Sequence, residues 1–185
     1  MGTLKIGAAL LLSLCSSWVM AAAIQVGQVL PQVSIQEGGE LVLSGADIQY
    51  QSWKSDQLSG KVYVVQHIAG RGSAKEMNAP LIERIKAAKL QPDQYQTVTL
   101  VNTDDAIWGT SGIVQGKLEG SKKEFPWSMM VLDKEGAALN QWQLEKKSSA
   151  IIVLDKNRQV RWMKEGALND DEQNQVMQLV TQLLK

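Results

Sequence analysis

Apolar positions are densest at Val62 to Ile68, within K-V-Y-V-V-Q-H-I-A-G-R-G-S-A-K-E-M-N-A-P-L-I-E-R-I-K, residues 61–86. So short and continuous an apolar run predicts a buried strand. Gly70-Arg71-Gly72 then predicts a tight turn, with Ser73 as N-cap and Glu76 as its capping-box partner. Met77, Leu81, Ile85 and Ala88 recur at helical spacing. The helix therefore runs past Pro80, which kinks rather than ends it. Upstream, two extended patches at 32–36 and 40–43 are separated by Gly38-Gly39, and a third lies at 48–50. They predict a hairpin or meander at the domain's edge.

Downstream, Tyr95 to Val101 alternates as a strand and ends in Asn102-Thr103-Asp104-Asp105. Residues 109–123 are polar with Ile113, Val114 and Leu118 on one side, which predicts a short, exposed helix. Pro126-Trp127 opens a strand over 128–132, and 137–144 forms a short helix or an irregular crossover. Residues 150–154 and 159–163 predict an antiparallel hairpin across the turn Asp155-Lys156-Asn157-Arg158. Asn169 caps a terminal helix carrying Val176, Leu179, Val180 and Leu183. Strands alternating with helices imply a single α/β sandwich with a mixed sheet over 24–185.

Residues 1–23 change the picture of compartment. Lys5, the apolar stretch Ile6 to Leu14 and the small residues Met20-Ala21-Ala22-Ala23 have the order of a secretory signal, cleaved after Ala22 or Ala23. The only cysteine is Cys15. It follows Leu14 rather than a small residue, so it belongs to the apolar stretch and not to a lipidation site. The mature chain then enters an oxidising compartment without a thiol or a disulfide. Lys and Arg total 19, as do Asp and Glu. Cleavage removes only Lys5, so acids exceed bases by one. This balance offers no electrostatic footing for nucleic acid or for an acidic membrane surface.

Aligned on Pro80 without a gap, H-I-A-G-R-G-S-A-K-E-M-N-A-P resembles the thioredoxin stretch from strand through C-x-x-C into a kinked helix. On that resemblance Gly72 and Lys75 occupy the two cysteine positions, Gln66 the place of a buried acid, and Ser149 that of a cis-proline. More closely, Q-H-I-A-G-R, S-A-K-E, V-N-T-D-D-A-I, the P-W-S block and V-L-D-K resemble the YtfJ family of small periplasmic proteins of Gram-negative bacteria. The resemblance implies a secreted thioredoxin-like fold, a three-layer sandwich with an N-terminal β-hairpin, and it carries no activity with it.

Thiol–disulfide exchange needs a thiolate. With no sulfur at 72 or 75, dithiol oxidoreductase, isomerase and peroxidase activities are excluded for the mature monomer. Gly70-Arg71-Gly72-Ser73 has the composition of an anion site, built from free N–H groups, a guanidinium and a hydroxyl. Ordinary capping, with Arg71 paired to an acid, explains the same residues and weighs more. Asp104 and Asp105 share the sheet edge with Arg71 if the strands are parallel. A salt bridge to Arg71 is preferred there over a bound cation. His67, the sole histidine, reads as a satisfied core residue. Trp108, Trp127 and Trp142, with Lys146-Lys147, border the same edge or fill the core with equal weight.

The expectation is a non-catalytic module that binds a periplasmic protein or a small anionic ligand at the former redox edge. Its site residues are Arg71, Gly72, Ser73, Asp104, Asp105, Trp108 and Ser149. No cofactor, metal, nucleic acid or lasting membrane insertion is expected. The alternative is a non-thiol enzyme using His67, Ser73 or the acid pair. A transcriptional regulator fits worst, given the signal segment, the balanced charge and the absence of a helix-turn-helix pattern.

Overall fold

A computed structural model describes residues 23–185. Cys15 and residues 1–22 of the stretch read as a signal fall outside the described residues. Seven strands form one sheet: β1 (Ser34–Ser44), β2 (Asp47–Lys54), β3 (Val62–Ala69), β4 (Tyr95–Asn102), β5 (Met129–Asp133), β6 (Ser149–Leu154) and β7 (Val160–Glu165). Their order is β2-β1-β5-β4-β3-β6-β7. The central strands β3, β4 and β5 are parallel, while β1, β6 and the two edge strands pair antiparallel. The sheet is mixed, and it opens with a β-hairpin.

Among the described residues five α-helices cover it: α1 (Gly72–Met77), α2 (Ala79–Ala87), α3 (Ser111–Glu124), α4 (Ala137–Trp142) and α5 (Asp170–Leu183). Every residue of β3 is buried, so the strand needs apolar cover on both faces. Val62 and Val64 pack with Leu81 and Ile85 of α2 and with Val176 and Val180 of α5. Tyr63 and Val65 pack on the other face with Leu139 and Trp142 of α4. Leu118 of α3 joins Leu41, Val101, Met130 and Leu132. Three layers result.

The hairpin departs from expectation. Residues 32–36 and 40–43 are not two strands across a Gly38-Gly39 turn; β1 runs through both, and the reversal comes at Gly45-Ala46, between Ser44 and its partner Asp47. Gly38 and Gly39 instead form a bulge with φ of 98° and 87°. A Cβ at Gly38 would lie 2.2 Å from the Leu132 carbonyl oxygen, and one at Gly39 would lie 2.0 Å from that of Gln51. Both the torsion and the close approach of neighbouring strands demand glycine.

The kinked helix is also different. It breaks at Asn78, whose φ of −121° and ψ of 15° leave the helical region, and α2 starts anew with Pro80 in its first turn. Proline suits that position because it has no N–H to leave unpaired there. Ser73 is not the cap either: α1 begins at Gly72, Arg71 holds the N-cap position, and no side chain caps the helix. Leu81 and Ile85 are buried as expected, but Met77 is half-buried and Ala88 exposed. The terminal helix α5 follows the reading, with a complete capping box between Asn169 and Glu172.

Candidate functional site

The loops that follow β3 and β4 meet at one edge of the sheet because the two strands are parallel and in register. Gly70 N–H donates to the Asn102 carbonyl oxygen at 2.7 Å. A Cβ on Gly70 would come within 2.9 Å of both that oxygen and the Ala106 side chain, so glycine permits this crossing. Asn102 is itself fully buried. Its Oδ1 accepts from the Asp104 and Asp105 N–H groups at 2.9 and 3.3 Å and turns the chain outward.

Asp105 is the knot of this edge. Arg71 donates through Nε to its carbonyl oxygen at 2.8 Å and through Nη2 to its carboxylate at 3.2 Å. The other carboxylate oxygen accepts from the Lys147 N–H, in the loop between α4 and β6. With the side chains 22% and 9% exposed, this pair is shielded more than a surface ion pair. One carboxylate thus ties three loops. The preferred reading, Arg71 paired to an acid, is what the structure shows, and it commits the guanidinium that an anion would need.

Ser149, at the expected cis-proline place, opens β6 and is buried. Among the described residues no peptide bond is cis. The Ser149 hydroxyl accepts from Asn78 Nδ2 at 3.1 Å, and the same amide donates to the Gly166 carbonyl at 3.0 Å. Asn78 Oδ1 accepts from Leu168 N–H at 3.1 Å. The break between α1 and α2 is therefore anchored to β6 and to the loop before α5. Sequence reasoning missed Asn78; the only signal was a polar residue two places before Pro80 in an otherwise apolar stripe.

Gly72 and Ser73 are exposed in the first turn of α1, as is Lys75. His67 is 1% exposed within β3, and its Nε2 has no hydrogen-bond partner, so it is a core histidine but not a satisfied one. Burial pushes its pKa down to about 4 against a smaller upward pull from Asp105. Exposed Ser73 and sealed His67 do not share a solvent-accessible site. Gln66, in the place of the buried acid, is buried and carries no charge.

The tryptophans separate. Trp142 is core, 1% exposed, with Nε1 donating to the Pro31 carbonyl at 2.8 Å. Trp127 precedes β5, and its carbonyl accepts from Gln96 at the start of β4. It therefore lies at the opposite end of the sheet. Trp108 alone of the three stands with Arg71 and Asp105, on the loop after β4, and is 98% exposed. Beside it runs a shallow groove lined by Asp104, Trp108, Ser111, Gln115 and Lys134. Among the described residues no three His, Cys, Asp or Glu side chains are grouped to hold a metal ion.

Fold and site together define a thioredoxin-like fold whose loop after β3 carries no thiol. Solved structures bear out the fold. A putative thiol:disulfide interchange protein DsbE from Chlorobium tepidum superposes with a TM-score of 0.61 at 13% identity, over 88% of this chain and 100% of that one. A thiol-disulfide isomerase from Corynebacterium glutamicum gives 0.58 at 19% identity, over 86% and 97%. The chain itself belongs to the YtfJ family: the model for a bacterial protein of unknown function (YtfJ_HI0045) matches residues 24–183. The uncharacterized protein YtfJ of Escherichia coli (strain K12) is 54% identical over 169 residues, covering 90% of this chain and 92% of that protein. An uncharacterized protein of Haemophilus influenzae is 48% identical over 170 residues, covering 92% of each.

Proposed function

We propose that this chain is a periplasmic, non-catalytic binding module that engages a partner protein at the former redox edge of the sheet. The observation that carries the reading is the pairing of Arg71 with Asp105 beside a Trp108 that is 98% exposed. The loop that would carry thiols is closed by an internal ion pair, while the neighbouring loop offers a large aromatic surface. Tryptophan is enriched at the energetic centres of protein interfaces, where its area is lost from water on binding. Commitment of Arg71 to Asp105 also favours a protein over a small anion, since the anion would have to displace a bidentate contact.

A photo-cross-linking side chain placed at 108, with position 127 as the control on the opposite edge, tests this in living bacteria. A discrete adduct at 108, absent at 127 and recovered in the periplasmic fraction, is expected. No adduct at 108, equal adducts at both positions, or recovery in the cytoplasm overturns the reading.

A further inference from the structure

We infer that the groove beside Trp108 receives an extended peptide segment bearing a basic and an acidic side chain on either side of an apolar one; this rests on the binding-module reading above. The groove is an open, shallow concavity of about 540 Å³ between the loop that follows β4 and the turn that follows β5.

Its charges are opposite and unspent. Asp104 uses only its backbone N–H, on Asn102, and Lys134 only its own, on the Glu37 carbonyl. Among the described residues neither the Asp104 carboxylate nor the Lys134 ammonium has a hydrogen-bond or ion-pair partner. A neutral ligand, such as a sugar, can hydrogen-bond to both groups but leaves both charges uncompensated. An anion alone meets Asp104, and a cation alone meets Lys134. Only an occupant carrying both signs answers both.

The apolar shoulders call for a side chain between them. Ile107 and Trp108, which line the groove, are 55% and 98% exposed, and Ile113 close by in the first turn of α3 is 60% exposed, an unusual concentration of large apolar surface in seven consecutive residues. Gly109 and Gly112 leave the approach open, since a Cβ on either would meet nothing within 4 Å. The loop is also held in shape before binding. Thr110 donates through Oγ1 and N to the Ile107 carbonyl at 2.7 and 2.9 Å, and Ser111 Oγ donates to the Thr103 carbonyl at 3.3 Å. A preformed loop loses little freedom on association.

The test is an amide chemical-shift titration of the isotopically labelled protein with acetyl-Lys-Phe-Glu-amide, acetyl-Glu-Phe-Lys-amide, acetyl-Gln-Phe-Gln-amide and chitotriose. One of the two charged peptides is expected to shift the amides of residues 104–113. The uncharged peptide, and either charged peptide with Asp104→Asn or Lys134→Gln, should bind about threefold more weakly. Exchanging the charges with Asp104→Lys and Lys134→Asp together should reverse which peptide order is preferred. Equal binding of the uncharged peptide, shifts confined to other loops, a response to chitotriose alone, or no response to any probe overturns the inference. If the position-108 adduct persists in that case, the broader reading survives; if it too is absent, both fall.

Discussion

Asn78 and Ser149, 71 positions apart in sequence, share a buried hydrogen bond of 3.1 Å at the point where the thioredoxin resemblance places a helix kink against a cis-proline. The hydroxyl is spent on the scaffold. What stands at this position fastens α1 and α2 to β6, with Gly166 and Leu168 drawn in through the same amide.

Asn78→Ala should therefore destabilise the fold by about 3 kcal/mol, because the Gly166 carbonyl and the Leu168 N–H lose a buried partner. Urea unfolding measures it. A loss below about 1 kcal/mol would mean that water replaces the amide.

Asp105→Ala releases Arg71 and the Lys147 N–H together, and should cost about 2 kcal/mol. In a double-mutant cycle with Arg71→Ala the coupling should be about 1 kcal/mol, since the pair is only partly shielded. Additive losses would show that the two side chains act independently.

The glycine bulge should be intolerant. Gly39→Ala puts a Cβ 2.0 Å from the Gln51 carbonyl oxygen at a φ of 87°, so severe destabilisation or failure to fold is expected. Gly45→Ala, with φ of 65° and nothing within 4 Å, should lose only about 1 kcal/mol. Comparable losses at the two sites would remove the close-approach argument.

Stability should fall on mild acidification through His67. Folding lowers its pKa from 6.5 to about 4, so between those values the unfolded chain binds a proton that the folded chain does not. The contribution is complete above pH 6.5 and declines as pH falls towards 4, with a slope of up to about 1.4 kcal/mol per pH unit. Unfolding curves of the parent and of His67→Gln across that window isolate it from the carboxylates. Parallel pH profiles would show that the imidazole titrates alike in both states.

Trp108→Ala should leave stability within about 0.5 kcal/mol, because the side chain is 98% exposed and contributes almost nothing to the core. Circular dichroism melting checks this. A large loss would make the indole structural and withdraw it from the binding surface.

Much of this architecture was legible in the amino-acid pattern because burial imposes periodicity. The continuous apolar run of β3, the Asn169 cap and the turn at Asp155–Arg158 are local signals, and each element formed where it was read. Gly38-Gly39 misled because a glycine pair has the same local freedom in a hairpin turn and in a bulge. Which one forms is decided by Leu132 and Gln51 on neighbouring strands. Ser73 misled in the same way: it had a cap's composition, but the chain entered α1 two residues earlier, with Arg71 at the N-cap position.

The strand, turn and helix at 61–86 thus resembled a thioredoxin-like scaffold, and the absence of cysteine at 72, at 75 and elsewhere in 24–185 removed sulfur from its chemistry. The pairing of Arg71 with Asp105, the burial of Ser149 under Asn78 and the separation of Trp108 from Trp127 and Trp142 came only from the tertiary structure. Propensity and periodicity act over a few residues. Those contacts join positions 34 and 71 apart, and the parallel pairing of β3 with β4 and the antiparallel return of β6 bring them together.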